Sequence, residues 1–285
     1  MNTSVKIIEC PRDAMQGLHD FIPTETKIEY INSLLKCNFD TIDFGSFVSP
    51  QAIPQLRDTS EVLNKLELNN TTKLLAIIAN ERGATDACKF EEINYLGFPF
   101  SVSESFQQRN TNSSIADSLK RVETIQNLAV GNKKELVVYL SMGFGNPYGD
   151  EWTSDIVIKW CELLYSKLDI KIQALSDTIG IGTPESIDYL FKALIPSLPN
   201  VEFGAHLHTV PENAKSIVES AYNAGCRRFD GAIKGFGGCP MASDDLTGNM
   251  PTEIMLDWFH LNSIKTGVNT DLFNQSLTKA LTVFP

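Results

Sequence analysis

Short β-branched and apolar runs alternate with longer amphipathic stretches along the whole chain, the pattern of strands that are each followed by a helix. The first run, residues 4–9 (SVKIIE), predicts a strand, and residues 24–36 predict a helix for which Thr24 is a fair N-cap. The pairing then recurs: a strand over 41–44 with a helix over 54–66, a strand over 73–78 with a short helix over 84–89, and a weaker strand over 92–96 with a clear helix over 114–130. The second half repeats it with strands over 136–141, 171–175, 201–206 and 228–230, the last continued at Ala232. Their helices run over 154–168, 184–195, 211–223 and 251–261, the second of them with Pro184 in its first turn. One more helix, over 271–281, closes the chain.

Eight strand-then-helix units predict an α/β protein with a parallel sheet, and eight is the number that closes a barrel. The fold class expected is a (β/α)8 TIM barrel with a C-terminal helical extension. No Pro/Gly/Ser linker divides the chain, so residues 1–285 are expected to form a single catalytic domain. An open, doubly wound sheet is the competing arrangement. It fits less well, because no G-x-G-x-x-G follows the first strand. A barrel places functional side chains where strands end and the following loops begin.

Composition narrows the chemistry. Among 285 residues, Lys and Arg total 24 and Asp and Glu 35, a formal charge of −11 with neutral His. That acidity argues against nucleic acid and against an anionic membrane surface as partners, since both call for a basic face. No apolar run reaches the length of a membrane span, and the first ten residues lack the apolar core of a signal peptide. The cysteines, Cys10, Cys37, Cys88, Cys161, Cys226 and Cys239, are spread singly with no C-x-x-C pair, so free thiols in a reducing, cytoplasmic compartment are expected. Cys239 stands apart, because it lies in a glycine-rich stretch, GFGGCPMA at 235–242, suited to a lid that carries a thiol to substrate.

The candidate chemistry gathers at strand ends. Strand one ends in Pro11-Arg12-Asp13-Ala14-Met15-Gln16. An adjacent Arg and Asp can be no more than a salt-bridged loop, but at the C-terminal end of a barrel strand they are also site candidates. Strand seven ends in His206-Leu207-His208, and residues i and i+2 of an extended segment point to the same side. Both imidazoles would then face one spot at the barrel mouth. Strand six ends in Ser176-Asp177-Thr178, and strand two in Asp43, followed by Phe44-Gly45-Ser46; either carboxylate could equally cap a loop or a helix. Asn249, after the glycine-rich stretch, carries an amide oxygen able to ligate a hard cation. One carboxylate, two imidazoles and one amide make a nitrogen-and-oxygen site that suits Mg²⁺ or Mn²⁺, the nitrogens favouring Mn²⁺.

Together, PRDAMQ at 11–16, SFVSP at 46–50, SDTIGIGTP at 176–184, HLH at 206–208 and GFGGCPMA at 235–242 resemble the 3-hydroxy-3-methylglutaryl-CoA lyase family of the metallolyase TIM-barrel superfamily. The resemblance runs over almost the whole chain, and the glycine-rich loop ending in Cys-Pro is its most specific marker. It implies retro-Claisen cleavage of 3-hydroxy-3-methylglutaryl-CoA to acetyl-CoA and acetoacetate. It also implies a divalent metal (Mg or Mn), an acyl-CoA substrate and a homodimer. Position by position, the resemblance implies Asp13, His206, His208 and Asn249 as metal ligands, Arg12 as the group that binds the thioester oxygen, and Cys239 as the thiol that transfers a proton. Asp43 and Asp177 are its further catalytic candidates, and Gln16, Ser46 and Thr178 its substrate contacts. Asp43 stands where the family usually carries Glu, Thr209 follows the H-x-H where the family carries Asp, and His19 takes the place of a Lys. Three alternatives remain: a lyase for a related 3-hydroxyacyl-CoA, a Claisen-type acyl-CoA synthase, and a catalytically silent barrel that binds metal or CoA. Synthases of that type generally carry an extra C-terminal domain, and a silent barrel has no use for Arg12, Asp13, His206, His208 and Cys239 together.

Overall fold

The computed structural model describes residues 4–238 and 247–284. Within them eight parallel strands close into a barrel in sequence order: β1 (Lys6–Glu9), β2 (Thr41–Ser46), β3 (Lys73–Ile77), β4 (Ile93–Ser101), β5 (Glu135–Ser141), β6 (Ile172–Asp177), β7 (Glu202–Leu207) and β8 (Arg228–Gly231). Pairing of β8 with β1, which sets Ile8 beside Asp230, makes the closure. Each strand is covered on its outer side by helices and on its inner side by the opposite strands. This double burial is why the strands read as near-continuous apolar runs. The barrel interior is a packed plug of Leu75, Ile77, Tyr95, Val137, Tyr139, Ile172 and Ala174. Below it, Lys6 pairs with Glu202 at 2.8 Å.

The helices that face the sheet are α2 (Thr24–Leu35), α3 (Thr59–Asn64), α4 (Glu81–Cys88), α6 (Ile115–Gly131), α7 (Ser154–Leu168), α8 (Pro184–Ser197), α9 (Ala214–Asn223) and α10 (Thr252–Leu261). Two short ones, α1 (Pro11–Gln16) and α5 (Glu104–Thr111), lie in the loops at the mouth, and α11 (Thr270–Ala280) follows at the end. Thr183 caps α8 with a full capping box, and Pro184 opens its first turn as expected. Thr24 does not cap α2. Pro23 holds that position, and the Thr24 hydroxyl donates to Asp58 at 2.8 Å instead. The helix expected over 54–66 is divided into a 3₁₀ turn (Pro54–Leu56) and α3.

The C-terminal extension seals the seam around β1. Val5 N–H donates to Lys265 O at 2.9 Å and Asn269 N–H to Cys37 O at 2.8 Å, while Phe273 packs edge-on against Phe39. Phe284 meets Tyr30 edge-on and stacks on Phe236, with ring centroids 4.5 Å apart. No helix among the described residues is long and apolar enough to cross a membrane.

Glu9 ends β1 and is fully buried. It accepts the Ile233 N–H at 2.9 Å and the Thr252 hydroxyl at 2.6 Å, tying β1 to the turn after β8 and to the start of α10. Burial pushes its carboxyl up to about 8, opposed by these two hydrogen bonds and helped by the charge of Glu253. A carboxyl raised in the folded state favours folding while it stays neutral. Its contribution is therefore complete below an unfolded value of about 4.3 and is lost as pH rises through 8. Glu9→Gln, neutral throughout, removes this dependence. Urea midpoints measured from pH 4 to 8.5 are expected to show the variant gaining on wild type by a few kcal/mol as pH rises, at about 1.4 kcal/mol for each pH step of one between the two values. Parallel pH profiles would show that Glu9 titrates in the folded protein as it does in the unfolded chain.

Candidate active site

Helix α1 starts directly after β1, with Pro11 at its first position, where no N–H partner is missed. Its spacing sets Arg12, Asp13 and Gln16 on neighbouring positions of one turn. Arg12 is buried and every guanidinium nitrogen is engaged. Nε donates to both Asp43 oxygens at 3.2 and 3.0 Å, and Nη2 donates to Asp43 Oδ2 at 2.5 Å. Nη1 donates to Asp13 Oδ1 at 3.0 Å and to Gln16 Oε1 at 2.8 Å. The β2–β3 register slips between Asp43 and Gly45, a bulge of the kind that re-aims a side chain. Burial pushes the Asp43 carboxyl up to about 6, against the pull of Arg12 and with help from Asp13 and Asp230. Burial also works against the charge of Arg12, but the adjacent carboxylates outweigh it and hold the guanidinium cationic.

The two imidazoles from the end of β7 converge on Asp13. His206 Nε2 lies 3.9 Å from Asp13 Oδ2, and the two histidine rings are 5.4 Å apart. Ligand atoms of Asp13, His206 and His208 all fall within 4.8 Å of one another. Asp13 Oδ2 and His208 Nδ1 are buried with no hydrogen-bond partner among the described residues. Unpaired buried acceptors are costly unless something positive lies between them, so this donor set fits a divalent cation. Burial, with the charge of His206, pushes His208 down to about 4 and leaves its ring neutral near pH 7. Burial opposes ionisation of Asp13, but Arg12, the two imidazoles and the Asn249 amide together hold it below the usual range. Burial likewise opposes charge on His206, and Asp230, at 3.1 Å from Nδ1, outweighs it and raises the ring. Cys10, His206 and Asp230 form a second close group. Burial and the surrounding carboxylates keep that thiol protonated, and Nδ1 of His206 is already taken by Asp230.

The cluster forms the floor of a cleft with an empty volume of ≈ 780 Å³. Arg12, Asp13, Gln16, Thr178, His206 and His208 line it. Asn249 is buried beside Asp13, with its Nδ2 on Phe236 O at 2.9 Å. Other expected residues lie elsewhere. Asp43 sits beneath Arg12. Ser46 Oγ accepts the Val48 N–H at 3.1 Å in an adjoining groove. Asp177 accepts the N–H groups of Ile181 at 3.1 Å and Gly182 at 2.7 Å, clamping the loop after β6; burial pushes it up to about 6 against those bonds. Cys239 lies outside the described residues. Its stem is described: Gly237 has a φ of +96°, and a Cβ there would stand 2.7 Å from Asp13 O and 2.8 Å from Ala14 Cα, so only glycine permits the approach.

Several contributors are not anticipated by the sequence motifs. Tyr139 of β5 and Asn110 and Thr111 of α5 line the cleft, and Asp230 of β8 backs His206. A helix-start signal for α5 is present in the sequence. Ser103 accepts the Phe106 N–H as N-cap, and Asp150 accepts from Ser103 and Ser105 to anchor it.

Comparison with known proteins is consistent with this geometry. A family model described as HMGL-like matches residues 5–279. The chain is 32% identical over 261 residues to a hydroxymethylglutaryl-CoA lyase of Bacillus subtilis, covering 92% of this chain and 86% of that protein. It is 31% identical over 268 residues to the human cytoplasmic 3-hydroxy-3-methylglutaryl-CoA lyase, covering 93% of this chain and 71% of the relative. An HMG-CoA lyase from Acinetobacter baumannii, solved with coenzyme A and 3-methylmalate, superposes with a TM-score of 0.91 at 29% identity, covering 99% of this chain and 91% of that one.

If Asp13, His206 and His208 share one cation, His208→Ala is expected to lose divalent-metal retention while the barrel still folds. Mn²⁺ content after dialysis, read beside a thermal melt, checks it. A folded variant that keeps as much Mn²⁺ as wild type would move the ion to other ligands.

Proposed function

Because the chain belongs to the HMGL-like family, we propose that it cleaves 3-hydroxy-3-methylglutaryl-CoA to acetoacetate and acetyl-CoA. The observation that carries this reading is the joining of Arg12 to Asp13, His206 and His208 on one cleft floor. That floor offers a fixed positive charge and a cation-binding set side by side, which matches a substrate with a thioester at one end and a hydroxy acid at the other.

The reaction breaks the C2–C3 bond, moves the hydroxyl proton to a base and supplies a proton to the departing C2. A divalent cation held by Asp13, His206, His208 and Asn249 would acidify the substrate hydroxyl when bound, and the two imidazoles favour Mn²⁺ over Mg²⁺. Arg12 serves the thioester end. The electron pair left by bond cleavage spreads onto the thioester oxygen, and a guanidinium fixed in advance stabilises it without reorganising. Asp43 does the fixing by holding Nε and Nη2, while Nη1 faces Gln16, whose Oε1 is the contact a thioester oxygen would replace. Asp43 is thus a positioning residue. Asp177 shapes the loop that presents Thr178, and Ser46 orders the β2 loop. Cys239, two residues past the point where Gly237 touches Asp13, is the proton donor to C2. A thiol is a suitable proton donor to a carbanion near neutral pH.

With Mn²⁺ or Mg²⁺ supplied, 3-hydroxy-3-methylglutaryl-CoA is expected to yield acetoacetate in a coupled assay. Turnover of only some other 3-hydroxyacyl-CoA would replace the substrate assignment. Cys239→Ser is expected to bind metal and substrate but to lose about 10²–10⁴ in kcat; near-normal turnover would make the thiol incidental. Asp43→Asn should lower kcat by about 10²-fold with a smaller change in KM, the mark of a misplaced Arg12. Unchanged kcat would reduce Asp43 to a structural partner.

A further inference from the structure

Arg228 is among the largest fully buried side chains of the described residues, and none of its three guanidinium nitrogens has a hydrogen-bond partner among them. It points into the barrel from β8, one inward position below Asp230. Its Nη1 is 3.8 Å from Glu202 Oε1, and its guanidinium carbon is 5.5 Å from the Tyr95 ring centre. Glu202 already has Lys6 at 2.8 Å. The space for Arg228 is made on β7, where a Cβ at Gly204 would stand 3.1 Å from Arg228 Cδ. Asp230 is itself only half paired. Oδ2 takes the Nδ1 of His206 at 3.1 Å, and Oδ1 has no partner among the described residues.

We propose that Arg228, Asp230 and His206 form a buried positioning column that presents His206 Nε2, and not Nδ1, to the metal site. Asp230 Oδ2 accepts the Nδ1 proton, so the lone pair stays on Nε2, the nitrogen that faces Asp13. Arg228 supplies the opposite charge on the same strand, about 7 Å along the chain, in an interior where water cannot screen it. The H-x-H sequence is followed by Thr209, whose hydroxyl donates to Val210 O at 3.2 Å, so the carboxylate behind the ligand comes from the next strand. Gln173, Tyr30 and Lys27, also buried, hold structural hydrogen bonds or packing positions away from the cleft and have no such link to it.

This inference rests on the metal reading above, and Mn²⁺ alone is the probe. Free Mn²⁺ titrated into metal-free protein gives Kd by electron paramagnetic resonance. Asp230→Asn is expected to weaken Kd by about 10–100-fold, the usual cost of losing a partner behind a ligand, and Arg228→Met by about tenfold. Arg228→Lys should recover part of the loss, and Glu202→Gln should leave Kd unchanged. In the metal-free protein, ¹⁵N spectra should show the Nδ1–H form of His206 in wild type and less of it in Asp230→Asn. A folded Asp230→Asn with wild-type Kd and ring form overturns the column. Equal effects of Glu202→Gln and Arg228→Met would make Arg228 a partner of Glu202 only. A wild-type protein without Mn²⁺ affinity would overturn the metal reading itself.

Discussion

Asp13, Asp43 and Asp230 are buried within one barrel mouth, and the other polar groups there are arranged to balance them. An isolated carboxylate is expensive to bury, and each of these comes from a different element. Arg12 answers two of them at once, gripping Asp43 with Nε and Nη2 and Asp13 with Nη1. His206 lies between the other two, hydrogen-bonded to Asp230 and facing Asp13. Within the set Asp13, His206 and His208, what is left over among the described residues is one free oxygen on Asp13 and one free nitrogen on His208. A cation is the natural complement of that remainder. The ion pair and the metal-binding set are therefore one electrostatic arrangement, and a change to either alters the other.

This arrangement exists only because the barrel closes. Asp13 enters on the helix after β1, Asp43 on β2, the imidazoles at the end of β7 and just past it, and Asp230 on β8, so the β8–β1 seam runs through the middle of the site. The seam is reinforced on both sides. Glu9 bonds it to the turn after β8 and to α10, and the C-terminal extension covers its outer side. Phe236, at the start of the glycine-rich stretch, is stacked on Phe284, so the stem of that stretch is anchored in the same extension.

Much of this is legible in the sequence, for identifiable reasons. Strands buried on both faces give apolar runs that stand out against amphipathic helices, and eight of them allow few topologies. The pattern of β4 breaks after residue 96 because Gly97 and Pro99 interrupt it, although both lie within a strand that reaches Ser101. α5 is hidden because ESFQQRNT has almost no apolar face, and α1 because six residues beginning with Pro read as a loop. Arg12 with Asp13 is visible because both stand just past the C-terminal end of a strand, and His206 with His208 because residues i and i+2 of an extended segment point to the same side. Asp230 is not, because its partner lies 24 residues away and they meet only through the register that sets Gly204 beside Arg228.

Gly204 and Arg228 share a single volume across two strands. A bare α-carbon on β7 gives the long side chain on β8 its room, and a side chain at 204 would press on the arginine stem. A small residue at 228 would instead leave a hole beside Tyr95. Neither position can drift alone without cost, so in lineages descended from this sequence the two should be exchanged together. A larger residue at 204 should travel with a short apolar one at 228, and such lineages would have to keep Asp230 in balance by some other route.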